Sequence, residues 1–183
     1  MSNNVVRELT PIEIRTVVDE FISSISADCQ KSNITFLTPQ YNGVLLFTRP
    51  MHSSEWSSIL FNFYTNSKKA IYRKGEKGII GIECGVSEKM IYLEFSDNGI
   101  GIPEEYEERI FDEFFTTTSA MNYEDIDSVN AVLGTGLGLK IVKDIVESYK
   151  GRIFVTSPKN QFNTCIRVEI PMLDDKDFEK YGL

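Results

Sequence analysis

The 183-residue sequence predicts an α/β domain, a two-layer sandwich with helices on one face of a mixed, mostly antiparallel sheet. Three observations predict it. Apolar residues recur with helical spacing in three separated segments, near 14–25, 56–71 and 139–149. Strand-like runs occur as neighbouring pairs joined by short polar connections. The order of elements departs from strict βαβ alternation, which argues against an all-parallel sheet. A composition of 42% hydrophobic and 25% charged residues is that of a globular chain, long enough to bury a core.

Taken in order, residues 1–10 read as a lead-in, and Thr10-Pro11-Ile12-Glu13 reads as a helix start: a cap, a proline in the first turn and an early acid. Ile14, Val17, Val18, Phe21, Ile22 and Ile25 continue that helix. Two strand-like runs follow, Ile34–Leu37 and Val44–Phe47, parted by a turn at Asn42-Gly43. A second helix from Ser53 to about Arg73 carries Trp56, Ile59, Leu60, Phe63 and Ile71 on one face, and Gly75 and Gly78 end it. Ile79–Val86 and Met90–Phe95 form a hairpin. Glycine and proline cluster at 99–103, before a short acidic helix near Glu104–Ile110. Residues 116–133 are polar and aperiodic, a loop long enough to suggest a lid or a disordered segment. A third helix spans Leu139–Tyr149, and Arg152–Thr156 with Thr164–Ile170 make a last strand pair. Asp174–Leu183 reads as a solvated acidic end.

Several function classes are disfavoured. A formal net charge of −8 lacks the basic field of a general nucleic-acid binder. Cys29, Cys84 and Cys165 show no metal spacing and read as reduced thiols of a cytoplasmic protein. No signal peptide and no apolar run approaching a membrane span is present, so no direct membrane contact is expected, whether the chain stands alone or forms part of a longer, membrane-anchored protein. The P-loop pattern, the Rossmann fingerprint, Gly-x-Ser-x-Gly and the protein-kinase HRD and DFG set are all missing.

Three clusters carry chemistry. Asn62, Asn66 and Lys69 fall on one stripe of the second helix, with Arg73 further along. Asparagine is a poor residue for a helix interior. The stripe is either a solvated polar face or a carboxamide offered to a hard cation, with phosphates and waters as its other ligands. The second cluster is Phe95–Pro103, "FSDNGIGIP". It is either a tight turn after an edge strand or a fixed acceptor, Asp97, for an exocyclic amine beside backbone that glycine lets approach a flat ring. The third is Gly134-Thr135-Gly136-Leu137-Gly138 before an amphipathic helix. It is a hinge or a phosphate site, where free N–H groups and the positive dipole end meet an anion.

Read together, these segments resemble the catalytic, ATP-binding domain of sensor histidine kinases, within the superfamily shared with DNA gyrase B, Hsp90 and MutL. The resemblance covers roughly residues 10–172. Asn62–Ala70 is similar to the family's N box, Asp97–Gly101 to its first glycine box, Phe111–Thr117 to its F box and Gly134–Leu139 to its second glycine box. The resemblance implies a Bergerat ATP-binding fold, a kinase transferring the γ-phosphoryl group of ATP to a histidine, and Mg²⁺ as cofactor. It implies that Asn66 holds Mg²⁺, that Asn62 and Lys69 act on the phosphates, and that Asp97 and Thr164 recognise adenine. Gly99, Gly101 and Ile102 would border the base, and Phe114 and Thr117 would belong to the F box at the lid. Gly134, Thr135, Gly136, Leu137, Gly138 and Leu139 would meet the phosphates. It implies a lead-in and connector helix over 1–30, the ATP-binding domain over 31–173 with its lid at about 116–133, and a tail over 174–183.

The chain departs from the family in three places. The F box, which often ends Thr-Thr-Lys, reads Thr116-Thr117-Thr118-Ser119. Ser67 stands where alanine is usual after the second asparagine. The single histidine, His52, lies near a helix cap and outside any phosphoacceptor motif. The acceptor histidine is therefore expected on a separate dimerisation domain, in cis or in trans, with a response regulator reached indirectly. The superfamily's hydrolases carry a glutamate base where Asn62 sits, which favours transfer over hydrolysis. The alternative is an ATPase or nucleotide-gated switch of the Hsp90 or MutL kind.

Overall fold

In the computed structural model, which describes residues 9–113, 115 and 136–183, one long helix packs across the middle of a twisted sheet. The described elements are β1 (Thr10–Glu13), α1 (Ile14–Lys31), β2 (Ile34–Phe36), β3 (Gln40–Asn42), β4 (Phe47–Met51) and α2 (Ser53–Lys74). They continue with β5 (Gly78–Ser87), β6 (Met90–Asp97), two 3₁₀ turns (Glu104–Tyr106 and Arg109–Phe111), α3 (Gly138–Ser148), β7 (Arg152–Val155), β8 (Thr164–Pro171) and α4 (Asp175–Tyr181). The main sheet runs β2-β5-β6-β8-β7, with β3 also on β5. β2 and β3 are parallel to β5, and the other pairs are antiparallel. β1 and β4 form a separate antiparallel pair. Among the described residues no helix is long and apolar enough to cross a membrane. The expected lid, with Phe114, Thr117, Gly134 and Thr135, lies outside the described residues.

α2 forms because its apolar residues keep one face. Trp56, Ile59, Leu60, Phe63 and Ile71 are buried against the sheet and its neighbours. Its start is fixed by Glu55 Oε2 accepting from the His52 N–H at 3.1 Å. Its end is fixed by Gly75, at φ 75°, whose N–H donates to Ile71 O at 3.1 Å. His52 is thus the cap residue of this helix. The inward face of the sheet is aliphatic and aromatic: Ile80 and Ile82, then Ile91, Leu93 and Phe95, then Ile166, Val168 and Ile170, all buried. The rings of Phe36 and Phe63 pack at 6.2 and 5.5 Å from that of Phe95.

Two expectations are corrected. Thr10–Glu13 is a strand, not a first helical turn, and α1 starts at Ile14 behind a Glu13 cap that accepts from Thr16 N at 2.8 Å. Ile12 gains burial and a partner, Thr48, on β4. That tertiary gain overrides a local helix signal. Val44–Phe47 is not one strand: Val44 and Leu45 are 86% and 53% exposed, whereas Leu46 is buried. Gly43, at φ 144°, turns the chain out of the main sheet, and its carbonyl accepts from Arg15. The acidic end is solvated as expected, with Asp174, Asp175 and Glu179 exposed, and it also forms a helix. Asp174 caps α4 by accepting from Asp177 N at 2.9 Å, and Phe178 meets Phe47 edge-on at 6.2 Å.

The face of the sheet turned away from the helices is charged. Arg167 donates to Glu94 at 2.9 Å and to Glu169 at 2.8 Å, and its guanidinium lies 4.0 Å over the Tyr92 ring. Arg152 and Lys159 add bonds to Glu169 and Glu94 at 2.6 and 3.2 Å. Both carboxylates are buried, so they require these partners. Cys29, Cys84 and Cys165 are buried free thiols, and burial pushes Cys165 up to about 11. Arg167→Met leaves Glu94 and Glu169 each short of a partner and should destabilise the fold by about 3 kcal/mol. Urea unfolding checks this, and a loss below about 1 kcal/mol would show the network to be a solvated surface pair.

Candidate functional site

A cavity of about 320 Å³ opens between α2, the ends of β6 and β8, the 99–103 turn and the start of α3. Its floor is Asp97, the last residue of β6 and only 3% exposed. Ser67 Oγ donates to Asp97 Oδ2 at 2.6 Å, and Gly99 N donates to Oδ1 at 2.8 Å. Thr164, opposite Asp97 in the β6–β8 register, hydrogen-bonds it as well. Burial pushes the Asp97 carboxyl above its ordinary value, and these three donors oppose the shift without cancelling it.

The turn after Asp97 is held rigidly. The Asn98 side chain accepts from Ile79 N at 2.7 Å and donates to Lys77 O at 2.9 Å. Asn163 donates to Gly99 O at 2.7 Å and Asn98 O at 3.2 Å, and its own N–H reaches Asp97 O at 2.8 Å. Gly99 is required: a Cβ there would fall 2.6 Å from that of Ala70 on α2. Gly101 adopts φ 82°, a left-handed conformation natural to glycine. Ile100, Ile102, Phe95 and Ile166 give the cavity apolar walls. Tyr106 and Phe115 close one side with ring centres 5.5 Å apart, and Arg109 lies 5.0 Å over Phe115.

The lining also has a polar and cationic part. Asn66, Lys69 and Arg73 line the cavity from α2. Burial holds the Lys69 ammonium below its ordinary value, and the Arg73 charge adds to the effect. Gly136, at φ 70°, and Leu139 line it from the start of α3. The first N–H groups of that helix have no intrahelical acceptor. Asn62 stands against this start. Its Nδ2 donates to Ser58 O at 2.8 Å, and its Oδ1 lies 2.6 Å from where a Cβ on Gly138 would be. Any larger residue at 138 would displace it.

Of the residues singled out from sequence, Asn66, Lys69, Asp97, Gly101, Ile102, Gly136, Leu139 and Thr164 line this one cavity. Gly99 bonds its floor, and Asn62, Leu137 and Gly138 stand beside it at the helix start. Sequence reasoning missed the hydrogen-bonding parts of Ser67 and Asn163. Ser67 had a signal, its departure from the family's alanine. Asn163 had none beyond being a turn-forming residue before a strand.

Fold and site together define a nucleotide-binding domain: a buried acceptor in a cleft with apolar walls, whose lining also includes cationic side chains and the start of a helix. Residues 52–174 match the family described as histidine kinase-, DNA gyrase B-, and HSP90-like ATPase, and the chain belongs to that family. It is 35% identical over 130 residues to the sensor protein kinase WalK of Staphylococcus haemolyticus, a match covering 68% of this chain and 19% of WalK. The chain thus spans about a fifth of the length of the curated relatives it matches. The nucleotide-free catalytic domain of histidine kinase ThkA superposes with a TM-score of 0.70 at 26% identity, covering 90% of this chain and 96% of that one. ThkA has also been solved with the response regulator TrrA, and there the TM-score is 0.65, with 42% of that chain covered. Full-length histidine kinase ShkA, solved with AMPPNP, shares the fold at a TM-score of 0.70 and 21% identity, over 90% of this chain and 31% of that one.

Asn163→Ala removes both side-chain donors to the turn. It should cost about 1–2 kcal/mol in urea unfolding and speed amide exchange at Gly99 and Gly101 well beyond that at Leu93 in the core. Uniform acceleration across β6 would mean that Asn163 does not hold the turn.

Proposed function

We propose that this chain is the catalytic domain of a histidine kinase, binding ATP with Mg²⁺ and passing the γ-phosphoryl group to a histidine on a separate phosphoacceptor domain. The carrying observation is Asp97: a buried carboxylate, held by three donors, in a cavity with apolar walls whose lining also includes Lys69 and the start of a helix. Adenine would enter between Ile102, Tyr106 and Phe115 and give its amino group to Asp97. Ile100, half-exposed at the rim, would cover it. The triphosphate would then run toward Asn66, Lys69, Arg73 and the N–H groups that open α3. ShkA, solved with AMPPNP, supports a nucleotide in this fold.

The donors fit a magnesium nucleotide. Among the described residues no three His, Cys, Asp or Glu side chains converge to hold an ion by themselves. Asn66 offers one carboxamide oxygen, which suits a hard cation that keeps its waters and phosphate oxygens. Bound there, Mg²⁺ would neutralise charge on the transferring phosphate. The chain's own residues would position: Lys69 at the phosphates, the α3 N-terminus as an anion cradle, Asn62 at the hinge between them. The Asn62 amide, tied to Ser58 O, takes no proton at neutral pH, so it activates no water. This supports transfer to a nucleophile that a partner domain supplies. A response regulator as the later acceptor is supported by the ThkA–TrrA complex.

Asp97→Asn should weaken ATP by at least about tenfold while the chain stays folded by circular dichroism. Asn66→Ala should abolish the magnesium dependence of ATP binding. The decisive experiment mixes the chain with ATP, Mg²⁺ and a histidine-bearing helical hairpin from the full-length protein, then assays acid-labile phosphate. Phosphate released to water at a rate indifferent to the hairpin would favour an ATPase or switch instead.

A further inference from the structure

Serine and threonine inside a helix usually turn the hydroxyl back to a carbonyl of the preceding turn. α2 shows this twice: Ser57 donates to Ser53 O at 3.3 Å and Thr65 to Phe61 O at 2.8 Å. Ser67 does not. Its side chain, 4% exposed and lining the cavity, reaches across to Asp97 Oδ2 at 2.6 Å. The other two donors to Asp97 belong to its own sheet end. Gly99 is two residues further on, and Thr164 is its neighbour in register. Ser67 is the donor that joins the floor of the cavity to the helix carrying Asn66 and Lys69.

An ionised carboxylate offers about four acceptor directions and no donor, whereas its neutral form donates one hydrogen. Three directions at Asp97 are filled, which leaves one for a ligand. We propose that Ser67 is a positioning residue that keeps Asp97 an acceptor, and that it thereby selects purines bearing a 6-amino group over those bearing a 6-oxo group. The inference rests on the reading of Asp97 as the base-recognition group. A 6-amino group donates and requires the acceptor, while a 6-oxo group accepts and would pair with the neutral acid. Burial raises the Asp97 carboxyl above its ordinary value. Without the Ser67 hydroxyl one bond to the charged form is lost, and the balance moves further.

The sign follows. Asp97 accepts above its pKa, so ATP affinity falls as pH drops through that value. With Ser67→Ala the fall begins at higher pH. Among the described residues, the other charged or titratable groups around the cleft are Lys69 and Arg73 on α2, Tyr106 on the first 3₁₀ turn, Arg109 over Phe115, Lys74 at Asn98 O, and Cys165 beside Thr164 on β8. All remain in place in the variant, so their titration is common to both proteins.

The test uses the 183-residue chain, its Ser67→Ala and its Asp97→Asn variants, with calorimetric titration of ATP and of inosine triphosphate at fixed Mg²⁺ from about pH 5 to pH 8. Thermal melts confirm that each is folded. Ser67→Ala should lower the ATP-over-ITP affinity ratio about tenfold within this pH range and move the ATP profile to higher pH. Equal weakening of both nucleotides with an unmoved profile would mean a packing defect and overturn the proposal, as would parental behaviour throughout. Asp97→Asn separates the two readings. If it keeps parental ATP affinity, base recognition by Asp97 itself fails. If it loses ATP while Ser67→Ala follows the parent, only the part given to Ser67 fails.

Discussion

A carboxylate in an apolar cavity is costly to keep charged, and the architecture around Asp97 is arranged to keep it so. Asp97 closes β6, between Ile80 on β5 and Thr164 on β8. Two ladders therefore fix its backbone before any side chain is considered. Gly99, Thr164 and Ser67 then supply donors from a turn, a strand and a helix. Asn163 and Asn98 hold that turn from behind. Shift the β6–β8 register by one residue and the carboxylate would point at the charged far face of the sheet. The site is a consequence of strand register.

α2 carries the second half of the constraint, because one helix serves both core and cleft. Trp56, Ile59, Leu60 and Phe63 bury one stripe, while Asn62, Asn66 and Lys69 occupy another, four and three residues apart. The polar stripe is thus as rigid as the apolar one. Asn62 extends this rigidity to α3, since its oxygen occupies the space that a side chain at Gly138 would take. Tyr149, near the other end of α3, donates to Glu55 at 2.5 Å, so both ends of α3 are keyed to α2.

Sequence reading reached most of this where signals were local. The stripes of α1, α2 and α3, the β5–β6 hairpin and the β7–β8 pair follow from period and turn residues alone. It failed where a partner distant in sequence decides. Thr10–Glu13 looks like a helix start until β4 is present to pair with it. Val44 and Leu45 look like strand residues, yet the turn at Gly43 leaves them in solvent. The site shows the same division. Asn66, Lys69 and Asp97 stand out by residue type and spacing. Asn163 does not, because its value lies in carbonyls 64 and 65 residues away. The charged far face has no local signal either: Glu94 and Arg167, 73 residues apart, become neighbours only through the β6–β8 register.

The same register explains why the acid-rich chain tolerates so much buried negative charge. On the far face Arg167 bridges Glu94 and Glu169, a cation for carboxylates that face solvent-side neighbours. On the near face the donors to Asp97 among the described residues, Ser67, Gly99 and Thr164, are neutral. Neutral donors stabilise the charge less than a guanidinium would, and they leave it uncompensated. A salt-bridged carboxylate has its strongest acceptor direction filled. One held by a serine, an amide and a threonine retains its charge and a free direction, and that combination is what a ligand's amine requires.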